Sequence, residues 1–221
     1  GATLGRLVAG QLVAVARVHP HELAFFNFLA GGPARGYEHL VDSSLDWGQD
    51  LPGLQRWLAA HAPDEPVFLA YFGSDEPDHY GIAATRLPFV NGYHATPVWY
   101  EPTAGLYAVS ATMLQAVYLP GRGDWTAETE REFQQLRALA PAFARYARDP
   151  AARAELERDA SPAQWRLRFV RLCHLLRAKR PLVQIGWSIF VYRLTPAEAR
   201  AAFDGNLRDL QHAVEAAPRN P

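Results

Sequence analysis

The densest group of residues able to do chemistry is Asp42-Ser43-Ser44-Leu45-Asp46-Trp47-Gly48-Gln49-Asp50. Its three carboxylates, each four residues from the next, could act as a general base or give oxygen ligands to a hard cation. The Trp47 indole could stack on the apolar face of a sugar ring. The same residue types are also what a tight turn and a helix N-cap require, so the block reads equally as site or as turn chemistry. A second group, Asp75-Glu76-Pro77-Asp78-His79-Tyr80-Gly81, combines carboxylates with a histidine but lacks a fixed ligand spacing, and reads better as a solvated loop. His19-Pro20-His21-Glu22 lacks the i, i+4 histidine pair of a zinc helix. No phosphate-cradling glycine loop, dinucleotide fingerprint or Gly-x-Ser-x-Gly elbow is present, and Ser110 and His94 fall in no triad signature. Cys173, beside Leu172 on a helical apolar face, reads as core packing rather than as a nucleophile.

These groups need elements to position them. Tyr37–Asp42 alternates and reads as a short strand. Asp50-Leu51-Pro52 opens a helix striped by Leu51, Leu54, Trp57 and Leu58 and stopped by Pro63. Pro66–Gly73 is an apolar run suited to a buried, parallel strand. This strand–helix–strand unit would place Asp42–Asp50 and Gly73–Gly81 on one carboxyl edge of a sheet, where α/β proteins collect ligands. Residues 74–104 read as irregular, with a short strand near Thr96–Tyr100, and Gly105–Leu119 starts as a strand that could turn helical from Thr112. Helices are expected over Thr126–Ala147, after the Ser161–Gln164 capping box, and after the Thr195–Glu198 box, where Phe203, Leu207, Leu210 and Val214 stripe one closing helix. Val183–Leu194 reads as a further strand. The expected fold is α/β: a small, mainly parallel or mixed sheet with a βαβ unit, flanking helices and a helical insertion.

Composition bounds the rest. The chain has 221 residues, 49% of them hydrophobic and 20% charged, enough for one sizeable domain or two small ones and unlike a disordered or fibrous chain. A net charge of −1 gives no broad electrostatic footprint for nucleic acid. One cysteine excludes an internal disulfide framework and a multi-cysteine zinc or iron–sulfur site. Leu7–Ala16 is uncharged, and apolar residues continue to Val18, well short of the roughly 20 residues that cross a bilayer. By spacing alone it reads as an amphipathic helix packed on the domain, ahead of the exit end of a membrane helix.

Four stretches carry a resemblance. HPHELAFFNFLAGGPARGYEHLVDSSLDWGQDLPGLQRWL, LAYFGSDEPDHYGI, YAVSATMLQAVYL and IGWSIFVYRL, in that order over most of residues 19–194, resemble the C-terminal extracytoplasmic domain of bacterial membrane glycosyltransferases of the dolichyl-phosphate-mannose protein mannosyltransferase-like (GT-C) type. Ser44 stands where asparagine is expected, and Phe28 where an acidic residue is common. The resemblance implies a polyprenyl-phosphate sugar donor, transfer outside the cytoplasm, and a catalytic acid in an early external loop between membrane helices, a region this chain lacks. It recasts residues 1–18 as the connection leaving a membrane helix, 19–194 as the extracytoplasmic domain and 195–221 as an amphipathic helix and tail.

The expectation is a non-catalytic domain on the periplasmic or extracellular side of a bacterial membrane, helping to bind or position the acceptor or to cap the active site. Its partners would be the membrane-embedded part of the same polypeptide, the polyprenyl-phosphate sugar and the acceptor, with no nucleic acid. Its expected binding residues are Asp42, Ser43, Ser44, Asp46, Trp47, Gln49, Asp50, Tyr71 and Tyr80, with no catalytic residue, metal or cofactor assigned to this chain. An interaction module whose blocks are fold signatures, cued by the closing helix, is the alternative. A hydrolase-like enzyme using Asp46 or Asp50 with His79 ranks last, because no nucleophile–base–orienter set can be named.

Overall fold

Apolar side chains alternate along the central strands and so build a core on each face of one sheet. The computed structural model describes residues 2–87, 89–91, 94–96, 103–119, 123–138 and 162–218. From β1 (Val67–Ala70) and the residues just after it, Val67, Leu69 and Tyr71 enter one core, while Phe68, Ala70 and Phe72 enter the other. In β5 (Gly105–Ser110), Leu106 and Ala108 oppose Tyr107 and Val109. In β7 (Ile189–Leu194), Ile189 and Val191 oppose Phe190, Tyr192 and Leu194. The first face is covered by Leu51, Leu54 and Leu58 of α2 (Leu51–His61). The second is covered by α3 (Ala111–Leu114), α4 (Ala127–Ala138), α5 (Pro162–Ala178), α6 (Pro196–Phe203) and α7 (Leu207–Ala216). The result is an α/β domain with helices on both faces of a mixed sheet.

The five-stranded sheet runs β2 (Thr85–Arg86), β1, β5, β7, β6 (Val183–Ile185). The pairings β2 with β1 and β1 with β5 are parallel, and β5 with β7 and β7 with β6 are antiparallel. A separate two-stranded ribbon joins β3 (Phe89–Asn91) to β4 (His94–Thr96).

Several expectations need correction. Tyr37–Asp42 is not a strand: 3₁₀ turns cover Pro33–Glu38 and Asp42–Ser44. The Tyr37 ring packs edge-on against Phe190, 4.6 Å between centroids, so its alternation serves core contact rather than sheet pairing. The βαβ unit built on that strand is therefore absent, and the parallel neighbours of β1 are β2 and β5. Val183–Leu194 forms a hairpin, folded by a turn with positive φ at Gly186 (55°) and Trp187 (68°) and closed by the Ser188 N–H on Ile185 O at 3.1 Å. The closing helix is two helices, because Asn206 and Asp209 form a second capping box after Gly205. The first box, at Thr195 and Glu198, forms as expected, and Gly105–Leu119 does pass from strand to helix. Residues 97–100 of the short strand, 139–147 of the long helix and Ser161 lie outside the described residues.

The apolar N-terminal segment is helical, α1 (Ala2–Ala16), but it does not pack on the domain. Leu4, Leu12 and Val13 are more than half exposed, and Val18 is the first residue of this segment to be buried. Among the described residues no helix is long and apolar enough to cross a membrane.

The helical face is joined by one buried cation. Arg171 of α5 is fully buried; its Nε donates to Glu130 Oε2 at 3.0 Å and its guanidinium lies over the Phe133 ring at 4.8 Å. Its remaining N–H groups donate to the carbonyls of Ala201 and Ala202 in the last turn of α6, which that helix leaves without N–H partners, and to those of Gly205 and Asn206, where α7 begins. Removing this partner leaves the buried Glu130 carboxylate without its counter-charge and the Ala201 and Ala202 carbonyls without these donors. Arg171→Ala is therefore expected to lower unfolding free energy by roughly 3–5 kcal/mol, read by urea denaturation. A loss below about 1 kcal/mol would mean that water replaces the guanidinium.

Candidate functional site

The block Asp42–Asp50 sits across one edge of the sheet, and three other segments meet it there. These are Tyr71–Gly73 after β1, Ser110–Thr112 at the end of β5, and the Gly186–Ser188 turn before β7. The Asp42 N–H donates to Thr112 Oγ1 at 2.8 Å. Gly48 and Gly73 both pack on the Tyr71 hydroxyl: a Cβ at either would stand 2.0 or 2.4 Å from it, and both have positive φ. An added Cβ at Gly186 would meet Asp50 Oδ1 at 1.9 Å. Glycine is required at these positions because loop, strand end and turn approach backbone to side chain.

The two inner carboxylates face different surroundings. Asp50 is nominally the N-cap of α2, but its side chain makes no cap bond. It turns inward instead, where Ser188 Oγ donates to Oδ2 at 2.6 Å, Gln49 Nε2 at 3.3 Å, and His21 Nδ1 lies 2.9 Å from Oδ1. Burial raises its carboxyl above the ordinary range, against the pull of Ser188 and His21. Asp46 is fully buried; Oδ1 accepts the Gly48 N–H at 3.1 Å, and Oδ2 has no hydrogen-bond partner. Burial pushes Asp46 up to about 7, opposed by the Gly48 N–H and the nearby Ser110 hydroxyl and reinforced by the charge of Asp50.

Around these lies an aromatic row. Trp47, 55% exposed, has its indole N–H fixed on Ser43 O at 3.1 Å and its ring 6.5 Å from that of Phe72. Phe72 stacks on Tyr118 at 5.9 Å with planes 3° apart, and the Tyr118 hydroxyl donates to Asp42 Oδ2. Asp42 itself has a φ of 65°, the left-handed region that aspartate enters more readily than most non-glycine residues. Gln49 locks the loop from within, accepting the Trp47 N–H at 2.8 Å and donating to Leu45 O at 3.1 Å.

The nine residues expected to bind therefore divide. Ser43, Ser44, Trp47 and Gln49 are exposed, Asp42 and Tyr80 are half-buried, and Asp46, Asp50 and Tyr71 are interior. Tyr71 and Phe72 point to opposite faces of the sheet, so Phe72, not Tyr71, joins Trp47. The Tyr71 hydroxyl accepts the Asp75 N–H at 3.0 Å, and Tyr80 Oη donates to Asp75 Oδ2 at 2.7 Å, which ties the Gly73–Gly81 loop beside the first. Sequence reading missed Tyr118, Thr112 and Ser188: they lie 70 or more residues away in the chain, and nothing in their local pattern marks them. Among the described residues no three histidines, cysteines or carboxylates are grouped to hold a metal ion. Cys173 is fully buried and pushed up to about 12, as inert packing requires.

No family model, curated protein or solved structure matches this chain.

A raised carboxyl in the fold stabilises it at low pH. The stability is fully present below the unfolded value near 3.8 and is lost as pH climbs to about 7. Asp46→Asn keeps an acceptor for Gly48 and cannot ionise. It is expected to melt at least as high as the parent at pH 8 and to remove a parental loss on the order of 4 kcal/mol between pH 4 and 7. Parallel pH profiles for the two proteins would show that Asp46 is solvated in both states.

Proposed function

We propose that this chain is the extracytoplasmic domain of a polyprenyl-phosphate-sugar-dependent membrane glycosyltransferase, and that its Asp42–Asp50 edge binds or positions the acceptor. The observation that carries the reading is the exposed Trp47 ring, held in one orientation beside Phe72, Tyr118 and the Asp42 carboxylate. An aromatic face buries the apolar side of a sugar or peptide group, while a carboxylate and hydroxyls accept and donate to its polar rim. The resemblance of the four sequence blocks supports the transferase context. The unpacked apolar helix α1 supports attachment to a membrane part of the same polypeptide.

The test uses the full-length enzyme. Trp47→Ala should weaken acceptor use about two- to twelvefold, the roughly 0.5–1.5 kcal/mol of an aromatic contact, with the melting temperature retained because the ring is exposed. The loss should fall on KM for the acceptor. Unchanged transfer by a folded variant would remove the acceptor role.

A second reading, an interaction module, draws on the open groove of about 620 Å³ between α6 and α7, lined by Ala197, Ala201, Ala213 and Ala216 with Arg200 and His212. Ala216→Glu would break an assembly formed there while leaving transfer intact.

A further inference from the structure

We propose that the turn Asn27–Gly31 is a bilayer-docking tip, with the side chains of Phe28 and Leu29 entering the interfacial layer of an anionic membrane. This rests on the membrane placement in the proposed function but not on the Trp47 site.

Phe28 is 86% and Leu29 82% exposed, more than any other large apolar side chain among the described residues. A loose loop would fold such residues back onto the domain, but this turn is held. Asn27 Oδ1 accepts the Ala30 N–H at 3.1 Å, and the Gly31 and Gly32 N–H groups donate to Phe28 O and Asn27 O at 3.1 and 3.0 Å. His39 Nε2 lies 3.0 Å from Ala30 O. Gly31 has a φ of 80°, and an added Cβ would meet the Arg35 side chain at 2.9 Å. On one flank Phe26 is anchored in the core and crowds Gly36. Leu40, next to His39, adds a further exposed apolar group. The backbone thus fixes two adjacent apolar side chains outward, as a surface-inserting element needs.

The charge around the turn fits an anionic surface. Residues 2–21 contain Arg6 and Arg17 and no acidic residue. The two acids nearest along the chain are Glu22, whose Oε1 lies 2.5 Å from His19 Nδ1, and Glu38, paired by a fork of bonds from Arg35, so that Arg6, Arg17 and Arg35 stand against Glu22 and Glu38 over residues 2–40. The apolar, exposed α1 leads into the same region of chain, so the tip would be a second point of membrane contact. Two contacts give stable attachment where one gives a reversible one. A bilayer accepts paired apolar side chains without a matching pocket, which suits a tip formed of one short turn.

The test is sedimentation of the 221-residue chain with vesicles of phosphatidylcholine alone and with a quarter phosphatidylglycerol. Binding to the anionic vesicles is expected, falling about tenfold in the Phe28→Asp, Leu29→Asp double variant with an unchanged thermal melt. In a second variant, Phe28→Trp, the emission gained over that of the parent's six tryptophans should shift to the blue with vesicles and be quenched by brominated lipid. Three results would overturn the proposal. One is no binding by the parent chain. Another is equal binding by the double variant, which would leave α1 as the sole contact. The last is a blue shift that follows protein concentration without lipid, which would make the occupant a second copy. Transfer lost in Trp47→Ala alongside unaltered vesicle binding in the tip variant would sink this inference and leave the acceptor reading standing.

Discussion

The edge on which the candidate site stands depends on one buried anion. Asp50 is tied at once to Ser188 in the hairpin turn, to Gln49 in its own loop and to His21 near the end of the N-terminal segment. A carboxylate taken from water costs several kcal/mol unless its oxygens are filled, so these contacts are obligatory once the residue is inside. They fix where the loop enters α2 and where the hairpin turns. The absent Cβ of Gly186 makes the approach possible. Because Asp50 gives up the role of helix cap to do this, its position is better explained by long-range docking than by local turn chemistry.

From that point the loop has little freedom. Gln49, Ser43 and Gly48 each satisfy a group within it, and Tyr71 closes it from below. Asp46 is the exception, a buried carboxyl with one oxygen unmatched. A group of this kind is tolerated where it is kept protonated or where a site draws on it. Positive φ at Asp42, Ala116 and Trp187 adds backbone conformations that non-glycine residues enter reluctantly. Asp42 and Trp187 stand on this edge, and Ala116 precedes the site residue Tyr118 by two positions. Such strain persists only where packing over-determines it, and it marks the edge as the least relaxed part of the described chain.

Elsewhere the energetics are conventional. The sheet has an apolar core on each face, and Arg171 serves as a common cap where α4, α5, α6 and the start of α7 meet. Its planar fork reaches a carboxylate and several carbonyls together, which lysine could not do. The two regions meet through the strands and through α3, whose Thr112 holds the Asp42 N–H and whose apolar residues share a core with Leu45 and Phe72.

The apolar runs at Pro66–Gly73 and Gly105–Ser110 and the Thr195 capping box were readable because continuous apolar composition and cap chemistry are local. The α/β class followed from them, and so did the nearness of the Asp42–Asp50 and Gly73–Gly81 loops, although through a βαβ unit that does not exist. Tyr37–Asp42 alternates like a strand but is bent into 3₁₀ turns, since Tyr37 gains more from Phe190 than from a sheet neighbour. α1 has helical spacing yet leaves Leu4, Leu12 and Val13 more than half exposed, which spacing alone does not reveal. The sequence by itself determined local conformation, apolar periodicity and the residue types of the site. Only tertiary structure decided that Phe72 rather than Tyr71 stands by Trp47, that Tyr118 reaches Asp42, and that Asp46 and Asp50 turn inward. Each of those depends on groups brought together from far along the chain, and local propensity carries no record of that distance.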